Sequence, residues 1–307
     1  MDKISVITTL YKSENYIREL YQRTTQTLNE LGVQYEIIFV DDCYNDNALE
    51  IAKSLLKNDQ NIKIIKLSRN FGQHAAINAG ISNADGDWFV VIDSDLQDRP
   101  EEIKRLYQKS KEGYDIVLAQ RVKRKDSFMK KLSSFIFSKV ASYLSGFKID
   151  YTTSNFGIYS KRVIENYKSL PESKLYFPFI IQWLGYSKTG IEVEHSERMK
   201  DKSSYNISKL FSLAFDSILY SSTKPLIITI KIGLSISVLS FIYAGYIILK
   251  KFLYNIPVSG WASTIASIWF LSGLIISVIG IVGAYTGKAF EESKKRPMYI
   301  IEDIYKN

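Results

Sequence analysis

With 307 residues the chain has room for one sizeable domain and an appendage, and a hydrophobic share of 46% is ample for a core. Its single cysteine, Cys43, excludes an intrachain disulfide and agrees with a reducing compartment. A net charge of +8 suits either nucleic acid or an anionic membrane surface, and the placing of the apolar residues decides for the membrane and against nucleic acid.

From the start, Met1-Asp2-Lys3 leads straight into a strand pattern, without a basic region followed by an apolar signal core, so the first domain is expected to stay where it is made. Short β-branched runs then alternate with helical patterns, which predicts a mostly parallel sheet with covering helices. The strands fall at residues 4–9, 35–40, 62–67, 88–92 and 115–119. Ile17, Leu20, Tyr21, Leu28 and Leu31 keep helical spacing, as do Ile103, Leu106 and Tyr107 after a helix start at Pro100. In such sheets ligands bind beyond the carboxyl ends of the strands. Tyr11, Asp41 with Asp42, Arg69 with Asn70, and Asp93 with Asp95 all fall there, so four polar clusters are expected to converge on one edge.

The most informative cluster is Asp93-Ser94-Asp95-Leu96-Gln97-Asp98, directly after the apolar run Trp88-Phe89-Val90-Val91-Ile92. Two carboxylates are thereby fixed at the end of a buried strand with one residue between them. A turn through Ser94 brings both to one Mg²⁺ or Mn²⁺ and leaves ligand positions for phosphate oxygens, which describes a metal site for a nucleoside diphosphate. A solvated acidic turn is the plain alternative.

Further along, Phe128, Leu132, Phe135, Ile136, Val140, Tyr143, Leu144 and Phe147 form one apolar stripe, with Lys130, Lys131 and Lys139 elsewhere on the helix. Ile207, Leu210, Phe211, Ala214, Ile218 and Leu219 repeat the pattern. Both are read as interfacial helices in the headgroup layer, with packing on the sheet as the alternative. Between residues 226 and 249 only Lys231 is charged, and between 252 and 287 nothing is, so both stretches exceed the roughly 20 residues that cross hydrocarbon and predict a transmembrane hairpin. Arg198, Lys200, Lys202, Lys209 and Lys224 before the first span, and Lys288, Lys294, Lys295, Arg296 and Lys306 after the second, make both flanks cytoplasmic. Lys250 and Lys251 at the far end argue the other way unless their stems snorkel to the interface.

Taken in order, Val40-Asp41-Asp42, Leu67-Ser68-Arg69-Asn70-Phe71-Gly72 and Asp93-Ser94-Asp95-Leu96-Gln97-Asp98, followed by the hairpin, resemble the family-2 glycosyltransferases of the polyprenyl-phosphate branch. Dolichyl-phosphate mannose synthase and the bacterial undecaprenyl-phosphate glucosyl- and aminoarabinosyltransferases belong there. The similarity covers nearly the whole chain, and S-R-N-F-G together with D-S-D-L-Q-D is far more specific than either part. It implies an α/β fold of the GT-A type and an inverting transfer from a nucleotide sugar, UDP-sugar favoured over GDP-sugar, to a polyprenyl phosphate such as undecaprenyl phosphate. It also implies Mg²⁺ or Mn²⁺, the bacterial cytoplasmic membrane, a role in cell-envelope glycan modification, and room for a homo-oligomer. The domain plan is then a catalytic domain at 1–204, a juxtamembrane helix at 205–224, two spans within 225–287 (about 226–249 and 262–286) and a cytoplasmic tail at 288–307.

By the same resemblance, Asp93, Asp95 and Gln97 match the metal and diphosphate motif that encloses Ser94. Asp42 with Asp41 matches the acidic pair that holds the nucleoside, Tyr11 the aromatic residue near the base, and Arg69 with Asn70 the S-R-N-F-G loop on the donor side. Arg121 and Arg124 resemble the basic loop facing the phosphates, and Arg198, Ser203 and Tyr205 match a late R-x4-S-x-Y signature, where a guanidinium forks onto two phosphate oxygens. Asp95, Arg121, Arg124 and Arg198 are the implied catalytic set. Departures are Thr9 for proline at the nucleotide site, Lys12-Ser13 for Asn-Glu, Asp201 and Ser204 for glycine and lysine, and Ser154-Asn155-Phe156-Gly157 for G-D-F-R, which leaves Asn155 without the usual carboxylate. Two alternatives stand beside this reading: a processive polysaccharide synthase, whose Q-x-x-R-W motif finds only Gln182-Trp183 here, and a membrane-tethered nucleotide-binding scaffold without activity.

Overall fold

The computed structural model describes residues 1–121, 139, 142–144, 153–170, 177–193, 222–254 and 260–307. Strands β1 (Lys3–Leu10), β2 (Gln34–Asp41), β3 (Ile62–Leu67) and β4 (Trp88–Val91) alternate with helices α1 (Ile17–Leu31), α2 (Ala48–Leu56) and α3 (Gln73–Ser82). Helix α4 (Glu102–Ser110) leads into β5 (Ile116–Arg121), and β6 (Thr153–Ser160), α5 (Lys161–Lys168), α6 (Phe177–Trp183) and β7 (Lys188–Val193) follow. Two long helices, α7 (Lys224–Tyr254) and α8 (Trp261–Ser293), precede a last strand, β8 (Ile301–Lys306).

The eight strands among the described residues join one sheet in the order β7-β5-β6-β4-β1-β2-β3-β8. The run β3-β2-β1-β4 is parallel, as the β–α alternation predicts, whereas β6 lies antiparallel between β4 and β5, and β8 antiparallel on β3. The sheet is therefore mixed at its flanks. Helices cover both faces, so alternate residues of a strand enter opposite cores. Ile4, Val6, Phe39, Ile64 and Val90 pack with α1, α2 and α4, while Ile7, Ile38, Val40, Ile65 and Val91 pack with α3, α5 and α6.

Helix α3 packs tightly on the sheet through small residues. Ala75, Ala76, Ala79 and Gly80 are buried, and a Cβ built on Gly80 would sit 2.4 Å from Ile7 Cγ2 and 3.1 Å from Val40 Cγ2. This contact seats the helix whose first residues border the polar edge described below.

Among the described residues, those of Met1–Phe135, Asp150–Ser204 and Arg296–Asn307 form one compact unit and those of Ile136–Ile149 and Tyr205–Lys295 a second. The chain that follows α8 thus returns to the first unit and supplies an edge strand, in the stretch that the sequence assigns to a tail. In the second unit, α7 and α8 are long and apolar enough to cross a membrane over Lys224–Ile247 and Ser267–Ser293. Their large side chains face outward, with Phe241 83% and Trp269 78% exposed, an apolar surface far beyond what a soluble monomer shows. Lys224 Nζ donates to Tyr143 O at 2.9 Å, and Tyr285 Oη donates to Ser222 O at 2.6 Å. Of the two interfacial stripes, only Lys139 and Ser142–Leu144, all helical, are described; the remainder of both lies outside the described residues.

Gly80→Ala tests the close seating of α3. Helix propensity alone favours alanine by about 1 kcal/mol, but overpacking a filled core costs roughly 1–3 kcal/mol. Denaturant titration should show a net loss of stability, and a gain would place α3 farther from the sheet.

Candidate active site

The predicted polar clusters meet at the carboxyl edge of β1, β2, β3 and β4, and the sheet topology adds more to that edge. Because β5 and β7 run in the same sense as β4, Arg121 and Val193 end there, paired with one another. Because β6 and β8 run the opposite way, Thr153 and Ile301 begin there. Val91 pairs with Gly157, and Asp93 lies two residues beyond the one as Asn155 lies two residues before the other, so Asp93 and Asn155 stand at the same level. The opposite edge is chemically closed: Glu36 accepts from Ser5 Oγ at 2.6 Å and from Asp85 N at 2.9 Å, and faces Lys63 Nζ at 3.4 Å.

Three loops at the carboxyl edge contain a non-glycine residue at positive φ: Lys12 (54°) after β1, Cys43 (52°) after β2 and Leu96 (56°) after β4. Such left-handed residues cost energy and cluster where local geometry serves a site. The turn through Leu96 brings Gln97 back onto Asp95, whose Oδ1 accepts from Gln97 N at 3.2 Å and whose Oδ2 accepts from Gln97 Nε2 at 2.7 Å. Asp93 Oδ1 accepts from Gln73 Nε2 at 2.8 Å. Asp93 and Asp95 are partly exposed, Ser94 between them is buried, and Asp98 is fully buried.

These residues fit a hard divalent cation. Two carboxylates a residue apart supply oxygen ligands and amide side chains steady them, and among the described residues too few protein oxygens are present to fill a coordination shell, which leaves places for phosphate and water. Among the described residues no group of three acidic, histidine or cysteine side chains forms a closed cage.

Asp42 has a different job from that of a freely offered carboxylate. It is 2% exposed, and its two oxygens accept from the backbone N–H groups of Phe71 (2.7 Å) and Gly72 (2.9 Å), while Asn70 Nδ2 donates to its carbonyl at 3.0 Å. Gly72 has φ 94°, which a side chain would oppose. Arg69 donates to Asn70 O and lays its guanidinium 4.0 Å from the Phe71 ring centre. Burial raises the Asp42 carboxyl, against the two N–H bonds that favour its charge. Burial also pushes Asp41 up to about 6, opposed by its bond from Cys43 N.

At the end of β1, Tyr11 is 49% exposed and Thr9 is buried. The Tyr11 and Tyr44 rings lie 4.6 Å apart, and Lys12 Nζ stands 5.7 Å from the Tyr44 ring centre. Sequence reasoning missed Tyr44 and Gln73. Each has a local signal: an aromatic two residues past Asp42, and an amide opening the helix after S-R-N-F-G. Arg124, Arg198, Ser203 and Tyr205 lie outside the described residues, and Arg121 is placed by its backbone alone.

The Asp41 shift has a definite sign. Its folded value of about 6 exceeds its ordinary 3.8, so the folded protein holds more protons between those values and loses stability as pH rises through them. Asp41→Asn removes this loss. In denaturant titrations without nucleotide or metal, the variant should gain on the wild type from pH 4 to 7, reaching about 1–3 kcal/mol. A difference independent of pH would contradict the burial of the charge.

The sequence profile described as Glycosyl transferase family 2 matches residues 5–168. An uncharacterised glycosyltransferase of Bacillus subtilis is 34% identical over 98% of this chain and 94% of its own length. A protein of Shigella phage SfV named bactoprenol glucosyl transferase is 35% identical over 98% of both chains, and a prophage bactoprenol glucosyl transferase homologue of Escherichia coli K12 is 35% identical over 99% of this chain and 100% of its own. Among solved structures, glucosyl-3-phosphoglycerate synthase from Mycobacterium tuberculosis, at 16% identity, superposes with a TM-score of 0.53 over 71% of this chain and 78% of that one, a likeness of fold. The full-length relatives and the matched profile establish that the chain belongs to glycosyl transferase family 2.

Proposed function

We propose that this glycosyltransferase moves a sugar from a uridine diphosphate sugar to a polyprenyl phosphate at the bacterial cytoplasmic membrane, inverting the anomeric carbon. Glucose is the first sugar to test, because relatives aligned from end to end are named for glucosyl transfer to bactoprenol. The observation that carries the reading is the Asp93/Asp95 pair, steadied by Gln73 and Gln97, at the end of β4 in a chain that also contains two membrane-length helices.

A phosphate oxygen of the acceptor forms a bond to C1 of the sugar as the bond from C1 to the β-phosphate oxygen breaks, and that electron pair leaves on UDP. A divalent cation, Mn²⁺ in the solved synthase, supplies neutralisation of the departing diphosphate when bound, with Asp93 and Asp95 as its holders. Tyr11 and Tyr44 offer aromatic faces for the uracil ring. Asp41 lies at the nucleoside, and Asp42 shapes the loop that lines it. Arg121, Arg124 and Arg198 are assigned to the donor and acceptor phosphates, and Ser203 and Tyr205, of the same late signature as Arg198, to the binding set. Asn155, level with Asp93, has no carboxylate to act as base. None is needed, because a phosphate monoester with a second pKa of about 6 is already mostly dianionic at neutral pH.

The chain leaves the sheet at Arg121 and Val193 and re-enters it at Thr153 and Ile301, all on the carboxyl edge. Since β8 rejoins the sheet, the chain must cross the bilayer an even number of times between β7 and β8, which the two apolar helices satisfy. The lysine- and arginine-rich flanks assign that shared side to the cytoplasm.

Two outcomes are expected. Asp95→Ala should lower turnover by more than about a hundredfold and abolish Mn²⁺ binding followed by electron paramagnetic resonance. Wild-type transfer should rise from about pH 5 to 7 with acceptor ionisation and then level off, with Asn155→Asp changing the plateau only modestly. A rate that climbs tenfold per pH unit above neutrality would indicate a hydroxyl acceptor instead.

A further inference from the structure

We infer that the C-terminal strand is a positioning element of the donor site, holding in place the loop that contains Arg69 and Asn70; this rests on the donor site proposed above. Asp42 grips that loop from the β2 side. From the other side it is held by residues that come after the last membrane-length helix. Ser68 N donates to Ile300 O at 2.9 Å, at the point where β3 hands over to the loop. The β3–β8 register runs from Lys63↔Lys306 to Leu67↔Ile301 and shifts between Lys66 and Leu67, so its irregularity falls at that handover. Lys66 pairs with Glu302 at 2.8 Å, and Asn78 Nδ2 of α3 contacts Met298 Sδ at 3.0 Å. Phe71, in the loop itself, packs on the same apolar core as Met298, Tyr299 and Ile301.

Without β8, β3 would become the sheet edge, with unpaired backbone groups and no partner for Ser68 N. The loop would keep its Asp42 bonds but lose its outer support, and donor binding would then have to order it. That cost appears in donor affinity, because ordering a loop on binding is subtracted from the interaction energy. A strand that only covers an edge would contribute to stability and leave donor affinity alone.

The test compares the full-length chain with one ending at Lys295, both purified in detergent. The readouts are calorimetric UDP binding in Mn²⁺, transfer kinetics, and thermal unfolding without nucleotide. The truncated chain should bind UDP about tenfold more weakly and show a KM for the UDP-sugar raised by a similar factor, with kcat changed by less than about threefold. A synthetic peptide of residues 296–307 should restore most of the affinity. If truncation prevents folding, the full-length double variant Met298→Ala/Ile301→Ala serves instead, with a loss in UDP affinity of at least about threefold expected. UDP affinity within twofold of wild type in the folded variant overturns the inference. A wild-type chain that binds no UDP would overturn the donor-site reading itself, and the inference with it.

Discussion

The carboxylate of Asp42 is the interaction on which the site's architecture most depends. It comes from the end of β2, lies almost wholly out of water, and takes the backbone N–H groups of Phe71 and Gly72 just before α3 begins. One buried side chain thereby joins two strand ends and a helix start. Burial works against its charge, and the two N–H bonds work for it. Removing those bonds would leave an unsatisfied buried anion, which costs more than an ordinary hydrogen bond is worth. The geometry passes onward: Gln73 opens α3 and donates to Asp93, so the loop gripped by Asp42 and the Asp93 carboxylate are joined through one helix start.

The rest of the sheet serves to bring these ends together. Strands apolar on both faces must be covered by helices on both sides, which leaves the polar strand ends as the place where backbone and carboxylates meet solvent. Positive φ at Lys12, Cys43 and Leu96 marks the same edge and follows from the sharp turns needed to direct side chains over it. Ion pairs around Glu36 and Asp115 tie down the other edge, where the described left-handed turns before β2, β5 and β7 fall on glycines, Gly32, Gly113 and Gly185. The last strand, supplied after α8, closes the flank beside β3.

The central strands and the polar edge were legible from sequence because β-branched runs of ordinary length ended each time in the same kind of polar cluster. The flanks were harder. In β6, Asn155 and Gly157 weaken the strand pattern, and Gly190 does so in β7, where a Cβ would collide with Gln120. Strand β8 reads as a charged tail, since Glu302, Asp303 and Lys306 are interspersed with Ile301, Ile304 and Tyr305, whose spacing does not alternate. Asp42 was read as a nucleoside ligand, and only its hydrogen bonds show how much of it is committed to the loop. Gln73 and Tyr44 gain meaning from contacts with residues distant in sequence or brought close by a left-handed turn, which periodicity does not encode.

The central claim is that a sugar passes to a lipid phosphate, and mass spectrometry of the lipid fraction tests it most directly. Purified chain would be offered UDP-glucose, other nucleotide sugars and undecaprenyl phosphate with Mn²⁺ or Mg²⁺. The account predicts one new lipid, undecaprenyl phosphate plus a single sugar residue, formed in step with UDP and with the anomeric configuration opposite to that of the donor. UDP released with free sugar and no lipid product, or a lipid bearing a growing run of sugars, would contradict it.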